Sequence, residues 1–409
     1  MQKLKVSIAG AGFAGLAAAV LLARAGYRVR VFERFETPQA LGAGILIQPT
    51  GLAALQVLGI QTEILAKGVR IDRLFGVNPK GRAVVDLTYA DWRQGAFGVG
   101  LHRGVLFESL WKAAMDAGVD IVTGHEVTSL DALQRDADLC IIADGAHSIL
   151  RSQTSIPGST HDYPWGALWA VVPDPNHRFA ATNTLWQWYR RAHQMLGIMP
   201  TGRRPGDGVP VVSLFWSLPA HELDHWRMAG LGAWKSQVRA LSPNVEDVLN
   251  TIDHPDALTW AQYADVQLSR YHAGNTVVIG DAAHATSPQL GQGTNMALLD
   301  AVTLAQCVST HNDVPTALAN YTRQRKRHLA YYGAASRMLT PMFQSHQRLL
   351  PWLRDAFMAP VTKLPLVKQA NLQTLTGVRG GWLEGEDARW LTGTQITPPD
   401  LNFPPRSTS

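Results

Sequence analysis

Apolar positions near the N-terminus read as strand (Val6 to Ala9), glycine turn, helix (about Ala14 to Ala25) and strand (Arg28 to Glu33). That is the length of a βαβ unit in a parallel sheet. Two further apolar runs, Leu139 to Ala143 and Thr276 to Ile279, read as returning strands of the same sheet. Each is followed by an acidic–glycine pair, in one order or the other, and then a helical pattern. Between them, about 156 to 267, bulky and polar residues alternate at period two, as in Leu185-Trp186-Gln187-Trp188-Tyr189 and Val212-Ser213-Leu214-Phe215-Trp216. This predicts strands of a sheet with one covered face. The tryptophans at 165, 169, 186, 188, 216, 226, 234 and 260 fall here, either lining a pocket for a flat aromatic ligand or simply filling sheet core. The final stretch reads as helices interrupted by Pro341, Pro351, Pro360 and Pro365, ending in a proline-rich tail.

Composition narrows the class. With 409 residues, 46% of them hydrophobic, the chain can bury a core that needs no disulfide or metal. The net charge of +5 is spread along the chain. Its densest basic run, Arg323 to Arg327, lies in a helical pattern and reads as a solvated face. Without interleaved aromatics it does not suggest nucleic-acid binding. Cys140 and Cys307 form no CxxC pair and no metal spacing, so they read as buried thiols in a reducing compartment. The uncharged run Val6 to Ala23 has the look of a signal peptide or membrane span. Its glycines at 10, 12 and 15, and its passage into the charged strand Arg28 to Glu33, make a buried strand–turn–helix the better reading. The expected location is cytoplasmic.

Candidate chemistry begins at Gly10-Ala11-Gly12-Phe13-Ala14-Gly15, a GxGxxG set between strand and helix. Gly10 makes the tight turn, Gly12 lets a diphosphate approach the backbone, and Gly15 lets helix and strand pack closely. The helix N-terminus, starting at Phe13 and Ala14, offers unpaired N–H groups to phosphate. Glu33, at the end of the second strand, stands where a ribose diol would donate to it and where a 2′-phosphate would be repelled. The site therefore suits FAD or NAD(H).

Asp138 to Arg151, containing Asp144-Gly145, resembles the "DG" motif of the single-component FAD-dependent aromatic hydroxylases, the group of para-hydroxybenzoate hydroxylase and the ubiquinone-biosynthesis hydroxylases. Gly280-Asp281-Ala282-Ala283-His284-Ala285-Thr286-Ser287-Pro288-Gln289-Leu290-Gly291-Gln292-Gly293-Thr294-Asn295 resembles that group's "GD" motif, and Leu101-His102-Arg103 its flavin-contacting arginine segment. The resemblance implies a Rossmann-like α/β FAD-binding domain with an interleaved β-sheet substrate domain and C-terminal helices. The expected division is 1–70, 98–155 and 268–335 for FAD, 71–97 and 156–267 for substrate, and 336–409 for the helical end.

It also implies roles. Asp144 and Asp281 lie along the cofactor, with Asp281 at the ribityl hydroxyls. Gly291 and Gly293 admit the isoalloxazine ring, and Pro288 lies beside its oxygen-binding carbon. The helix begun by Thr294 and Asn295 aims its dipole at the anionic pyrimidine end of reduced flavin. Arg103, before a helix N-terminus, is disfavoured by the dipole unless an anion is near; the FAD diphosphate would supply one, and a solvated surface arginine is the alternative. Arg34 covers the adenosine or is merely at the surface. Gly42-Ala43-Gly44-Ile45 resembles a second glycine turn near the flavin. His284 reads as a structural hydrogen-bonder, and no residue identifies itself as the catalytic acid or base.

The implied reaction is hydroxylation of an aromatic substrate by O2 through a C4a-hydroperoxyflavin, with NAD(P)H as transient donor, tightly bound FAD and no metal, in a monomer or homodimer. Transient docking agrees with there being one complete GxGxxG, since Gly230-Leu231-Gly232 lacks a preceding strand. The alternatives are a halogenase, suggested by Trp186-Gln187-Trp188, an isoprenoid-type reductase, and a non-catalytic FAD-binding protein. The apolar segment Leu349 to Leu366 reads as a helical lid, with membrane contact the second choice.

Overall fold

The computed structural model describes residues 4–38, 44–174, 176–206, 208–347, 349–362, 364–382 and 384–387. Gly42 and Ala43 of the second glycine turn, and the proline-rich tail, lie outside the described residues.

The predicted βαβ unit is present as β1 (Lys5–Ala9), α1 (Phe13–Arg24) and β2 (Arg28–Phe32). It belongs to a six-stranded sheet in the order β15 (His272–Ala273), β16 (Thr276–Val278), β9 (Leu139–Ile142), β1, β2, β8 (Asp120–Val122). All pairs are parallel except the β15–β16 hairpin. Strands β9 and β16 are buried along their whole length, which is why they read as apolar runs without alternation.

The alternating segment forms the core of a second sheet, of seven strands. Their order is β14 (Thr259–Leu268), β10 (Gly158–Pro173), β13 (Pro210–Pro219), β12 (Gln194–Arg203), β11 (Thr184–Arg190), β5 (Arg73–Val77), β6 (Ala83–Thr88). A three-stranded antiparallel sheet, β3 (Gly44–Ile47), β7 (Gly98–His102) and β4 (Val69–Ile71), joins the two.

Helices α2 (Pro49–Val57), α3 (Gln61–Lys67), α4 (Arg103–Asp116), α5 (Leu130–Gln134), α8 (Asp281–His284), α9 (Gly293–Thr310) and α10 (Val314–Phe343) accompany the parallel sheet and its joining strands. Helices α6 (Leu223–Leu241) and α7 (Glu246–Asn250) cover one face of the seven-stranded sheet. Gly230-Leu231-Gly232 lies inside α6, where Gly230 turns to φ 78° and kinks the helix. Pro341 sits in the last turn of α10 and does not end it. No helix among the described residues is long and apolar enough to cross a membrane.

Period-two alternation sorts the seven-stranded sheet's side chains cleanly. Trp186, Trp188, Trp216, Trp226, Trp234 and Trp260 all belong to the core under α6 and α7 or pack against it. Trp186 and Trp188 stack there at 17°, which makes Trp186-Gln187-Trp188 a packing motif. The opposite face, toward α10, carries Ala167, Trp169, Tyr189, Met195, Phe215 and Tyr263, with Phe343 from α10 against them. Of the eight tryptophans, Trp165 and Trp169 stand on that second face.

Candidate cofactor and active site

Each glycine of the cradle can be asked what its missing side chain makes room for. Gly10 adopts φ 99°, and a Cβ there would meet the Ala143 carbonyl oxygen at 2.5 Å. A Cβ on Gly15 would lie 2.0 Å from the Gly10 oxygen. Those two glycines are demanded by the fold itself. Gly12 is not: its φ is −72°, and a Cβ would come no nearer than 4.0 Å to any protein atom. Space beside Gly12 is left for something other than protein. Helix α1 also starts there with no side-chain cap, which leaves its first amides without a capping acceptor among the described residues.

A second uncapped N-terminus belongs to α9, whose first residues are Gly293, Thr294 and Asn295. Gly293 and Gly291 are exposed, and among the described residues outside their own helix and chain neighbours a Cβ on either would meet just Asp281 Oδ1, 3.9 Å from Gly293. Asp281 opens α8 and is exposed, and its charge acts on Arg103. The structure thus brings Gly12, Phe13, Arg103, Asp281 and Gly293 together.

Arg103 is the most informative of these. Its guanidinium lies 4.9 Å over the Phe13 ring and makes no hydrogen bond to any described residue. Burial pulls its pKa below the ordinary arginine value, against the opposing pull of Asp281. A half-buried cation with no hydrogen bond to any described residue, beside uncapped amides, matches a diphosphate.

Glu33 is buried, and its two carboxylate oxygens accept from Ala11 N at 2.9 Å and Phe35 N at 3.1 Å. Those bonds fix the carboxylate at the mouth of the turn and leave lone pairs for a diol. Arg34 is exposed, with its guanidinium 4.6 Å over Phe35. Asp144 keeps one buried oxygen, Oδ1, without a partner. Burial raises its pKa, against Ser148 and Arg151.

Two predicted residues have protein partners instead. Asn295 Oδ1 accepts from Gln48 N at 2.9 Å, while Nδ2 donates to Leu46 O at 3.2 Å and Gly291 O at 3.1 Å. Its side chain clamps α9 to the β3–α2 junction, leaving its backbone amide as the group to offer a ligand. Gly44 donates its amide to Ser213 Oγ at 2.7 Å, and a Cβ would lie 2.4 Å from Thr201 Cγ2. Close packing between sheets is what demands that glycine.

Pro288 opens a short 3-10 turn that ends at left-handed Gly291. The preceding Ser287 holds this turn to α10 through Ser336 Oγ at 2.9 Å and Thr340 Oγ1 at 2.7 Å. Leu339 and Phe343, on the same stretch of α10, pack against the aromatic face of the large sheet. The Pro288 turn and that face therefore share one support. On the face, Trp169 donates from Nε1 to Tyr263 at 2.9 Å and meets Phe215 edge-on at 4.8 Å.

Several positioning residues were not singled out from sequence. Arg151 donates to Ala282 O at 2.7 Å, Ala146 O at 2.9 Å and Thr160 Oγ1 at 2.7 Å, tying the DG and GD segments together. Asp300 is fully buried, accepting from Gly280 N at 2.9 Å and Arg325 Nε at 2.7 Å, with His284 Nε2 at 2.5 Å. Burial alone would raise its pKa, but His284 and Arg325 hold it well below the usual carboxylate range. His284 is the structural hydrogen-bonder expected. The reading of Arg323 to Arg327 as a solvated face fails at Arg325, which is fully buried against Asp300. The available signal was Asp300 itself, an acid inside the apolar pattern Met296 to Val308, which must find a cation.

The family described as FAD binding domain matches this chain over residues 3–332. The chain is 27% identical over 373 residues to a probable 2-heptyl-3-hydroxy-4(1H)-quinolone synthase of Rhodococcus erythropolis, covering 89% of this chain and 93% of that one. It is 28% identical over 374 residues to the aurachin C monooxygenase/isomerase of Stigmatella aurantiaca, covering 87% and 94%. Among solved structures, Klebsiella pneumoniae HpxO complexed with FAD and uric acid superimposes with a TM-score of 0.77 at 22% identity, covering 91% of this chain and 97% of that one.

Proposed function

Because the chain belongs to the FAD-binding-domain family and is an FAD-dependent aromatic monooxygenase of the single-component type, we propose that its substrate is an uncharged, flat aromatic or heteroaromatic ring bearing an apolar substituent. NAD(P)H is the proposed electron donor. The observation that carries this reading is the chemistry of the face opposite the Pro288 turn: Trp169, Phe215, Tyr189, Tyr263, Met195 and Phe343 are aromatic or soft apolar groups. Arg354 touches two of these rings, at 5.0 Å from Tyr189 and 5.2 Å from Phe343, but its charge is already met by Asp355 at 2.7 Å. A carboxylated substrate would find no uncommitted cation among these residues, and burying it there would be costly. The name of one relative, a 2-heptyl-3-hydroxy-4(1H)-quinolone synthase, agrees with a fused neutral ring bearing an alkyl chain.

The amides at the start of α1 and Arg103 would hold the FAD diphosphate, Glu33 the adenosine ribose, Asp281 the ribityl hydroxyls, and the amides at the start of α9 the pyrimidine edge. Bound FAD supplies the two-electron and oxygen chemistry that no side chain here provides. The chain's own part is placement. Burial pushes the Tyr263 hydroxyl far above its ordinary pKa, so it keeps its proton and can donate it to a carbonyl on the ring. The Trp169 indole, donating to Tyr263, fixes that hydroxyl's direction. The aromatic face and α10 exclude water from the ring.

The test is NADH and NADPH oxidation in air against a panel of alkylquinolones and monocyclic hydroxybenzoates, with products examined by mass spectrometry. Neutral fused rings are expected to accelerate oxidation and gain one oxygen. If only carboxylated single rings do so, the substrate reading is overturned. Trp169→Ala should retain FAD and raise KM for the ring by about tenfold or more.

A further inference from the structure

Buried polar atoms that find no protein partner are rare, and each asks for a reason. Two such groups stand on the aromatic face of the seven-stranded sheet. Tyr263 Oη accepts from Trp169 Nε1 at 2.9 Å, and its own proton meets no acceptor among the described residues. The second group is Gln344, which follows Phe343 at the end of α10 and is 3% exposed. Its Nε2 donates to Ser217 Oγ at 3.0 Å, while its Oε1 is buried with no hydrogen-bond partner among the described residues. Ser217 lies directly across from Ala167 in the β10–β13 register and two residues beyond Phe215, so it shares their face. The Gln344 amide therefore lies on the side of the sheet that meets α10.

The two groups are complementary. The phenol offers a proton that lacks an acceptor, and the amide oxygen is an acceptor that lacks a donor. A hydrocarbon ring satisfies neither, and a ring with carbonyls alone satisfies only Tyr263. Tyr263 belongs to β14 and Gln344 is tied to β13, with β10 alone between those strands, so the two strands run roughly 10 Å apart. One flat ring system with a hydrogen bond at each edge spans such a gap. The bond to Ser217 fixes the amide; the stranded oxygen is what a purely structural clasp leaves unexplained.

We propose that Gln344 is a specificity-determining residue of the monooxygenase, its Oε1 accepting from an N–H on the substrate ring while Tyr263 donates to a carbonyl on the opposite edge. The substrate is then a neutral fused ring that carries both groups, a vinylogous amide. Held at both edges, such a ring cannot turn in its own plane. The assignment rests on the substrate reading above and specifies the polar groups which that ring carries.

The test titrates the FAD-loaded enzyme with an alkyl-4(1H)-quinolone and with two counterparts lacking the ring N–H, the N-methylquinolone and the ring-oxygen chromone. Binding is followed in the flavin absorption spectrum. The parent enzyme is expected to bind the N–H ring about tenfold or more tighter than either counterpart, since each leaves Oε1 without its donor. Gln344→Met keeps the side chain's length without the amide. It should weaken the N–H ring to the level of the chromone and leave the chromone unchanged. Tyr263→Phe should weaken all three rings alike. A purely structural Gln344 predicts otherwise: Gln344→Met would lower thermal stability and weaken every ring equally. That result overturns the proposal, as does a preference for the N–H ring that survives Gln344→Met. Equal affinity of the parent for all three rings also removes Gln344 from recognition, and leaves the substrate reading standing. If no fused ring binds while a hydroxybenzoate does, the substrate reading falls and this assignment with it.

Discussion

At the scale of single residues, the site depends on charges held away from water. Arg103 has no hydrogen-bond acceptor among the described residues, so its replacement should be felt mainly in the cofactor. Arg103→Ala is expected to weaken FAD binding by about ten- to a hundredfold, the weight of one or two charge-assisted hydrogen bonds, measured by flavin fluorescence titration. Asp300, Arg325 and His328 form a buried set of a different kind. Asp300→Asn would leave Arg325 uncompensated and is expected to cost about 3–5 kcal/mol in urea unfolding.

His328 accepts from Arg325 Nη1 at 2.9 Å and donates to Gly377 O at 2.8 Å, so it is held neutral. Burial, then Arg325, lowers its pKa to about 3. Below about pH 6.5 the unfolded chain binds a proton that the folded chain refuses. Stability should therefore fall with pH by about 1.4 kcal/mol per unit from pH 6.5 toward 3. The Asp300 contribution, from a lowered pKa, is lost only below about pH 4. His328→Gln, which can keep both hydrogen bonds, is expected to flatten the upper part of that slope. An unchanged slope would remove His328 from the account.

At the scale of elements, three glycines within one turn answer to different demands. Gly15→Ala should push α1 off β1 and destabilise the protein by at least about 1–3 kcal/mol, because the new Cβ overlaps the Gly10 carbonyl. Gly12→Ala should leave the melting temperature nearly unchanged and lower FAD affinity, because only a ligand needs that space. Calorimetry and flavin titration on the two variants separate the cases, and loss of fold in Gly12→Ala would refute the distinction. The tryptophan-rich strands carry the same lesson. Alternation on β11 and β13 marked a two-faced sheet, but it could not say which face α6 and α7 would cover. That placement put six tryptophans into packing and left Trp169 facing the other way.

At the scale of the whole molecule, α10 couples the two large sheets. Its Ser336 and Thr340 hold the Pro288 turn, and its Leu339 and Phe343 meet the aromatic face. The double variant Ser336→Ala/Thr340→Val is expected to lower stability by about 1–3 kcal/mol and to raise KM for the aromatic substrate. FAD affinity should change less than KM does, since the diphosphate groups lie on other elements. Steady-state kinetics and flavin titration together check this.

Much of the cofactor site was legible in sequence because its chemistry is local. A strand, three glycines and a helix start place backbone amides within one short stretch, and Glu33 follows at the end of the next strand by geometry alone. The GD segment was read through its resemblance to the aromatic hydroxylases. What only the tertiary structure decided involves partners far apart in the chain. Asn295 is taken up by Gln48 and Leu46, Gly44 by Ser213 and Thr201, and Arg325 by Asp300. Periodicity records how many faces of an element are buried, not which distant element buries them. Pairings between residues hundreds of positions apart are therefore settled only when the sheets and α10 close on one another.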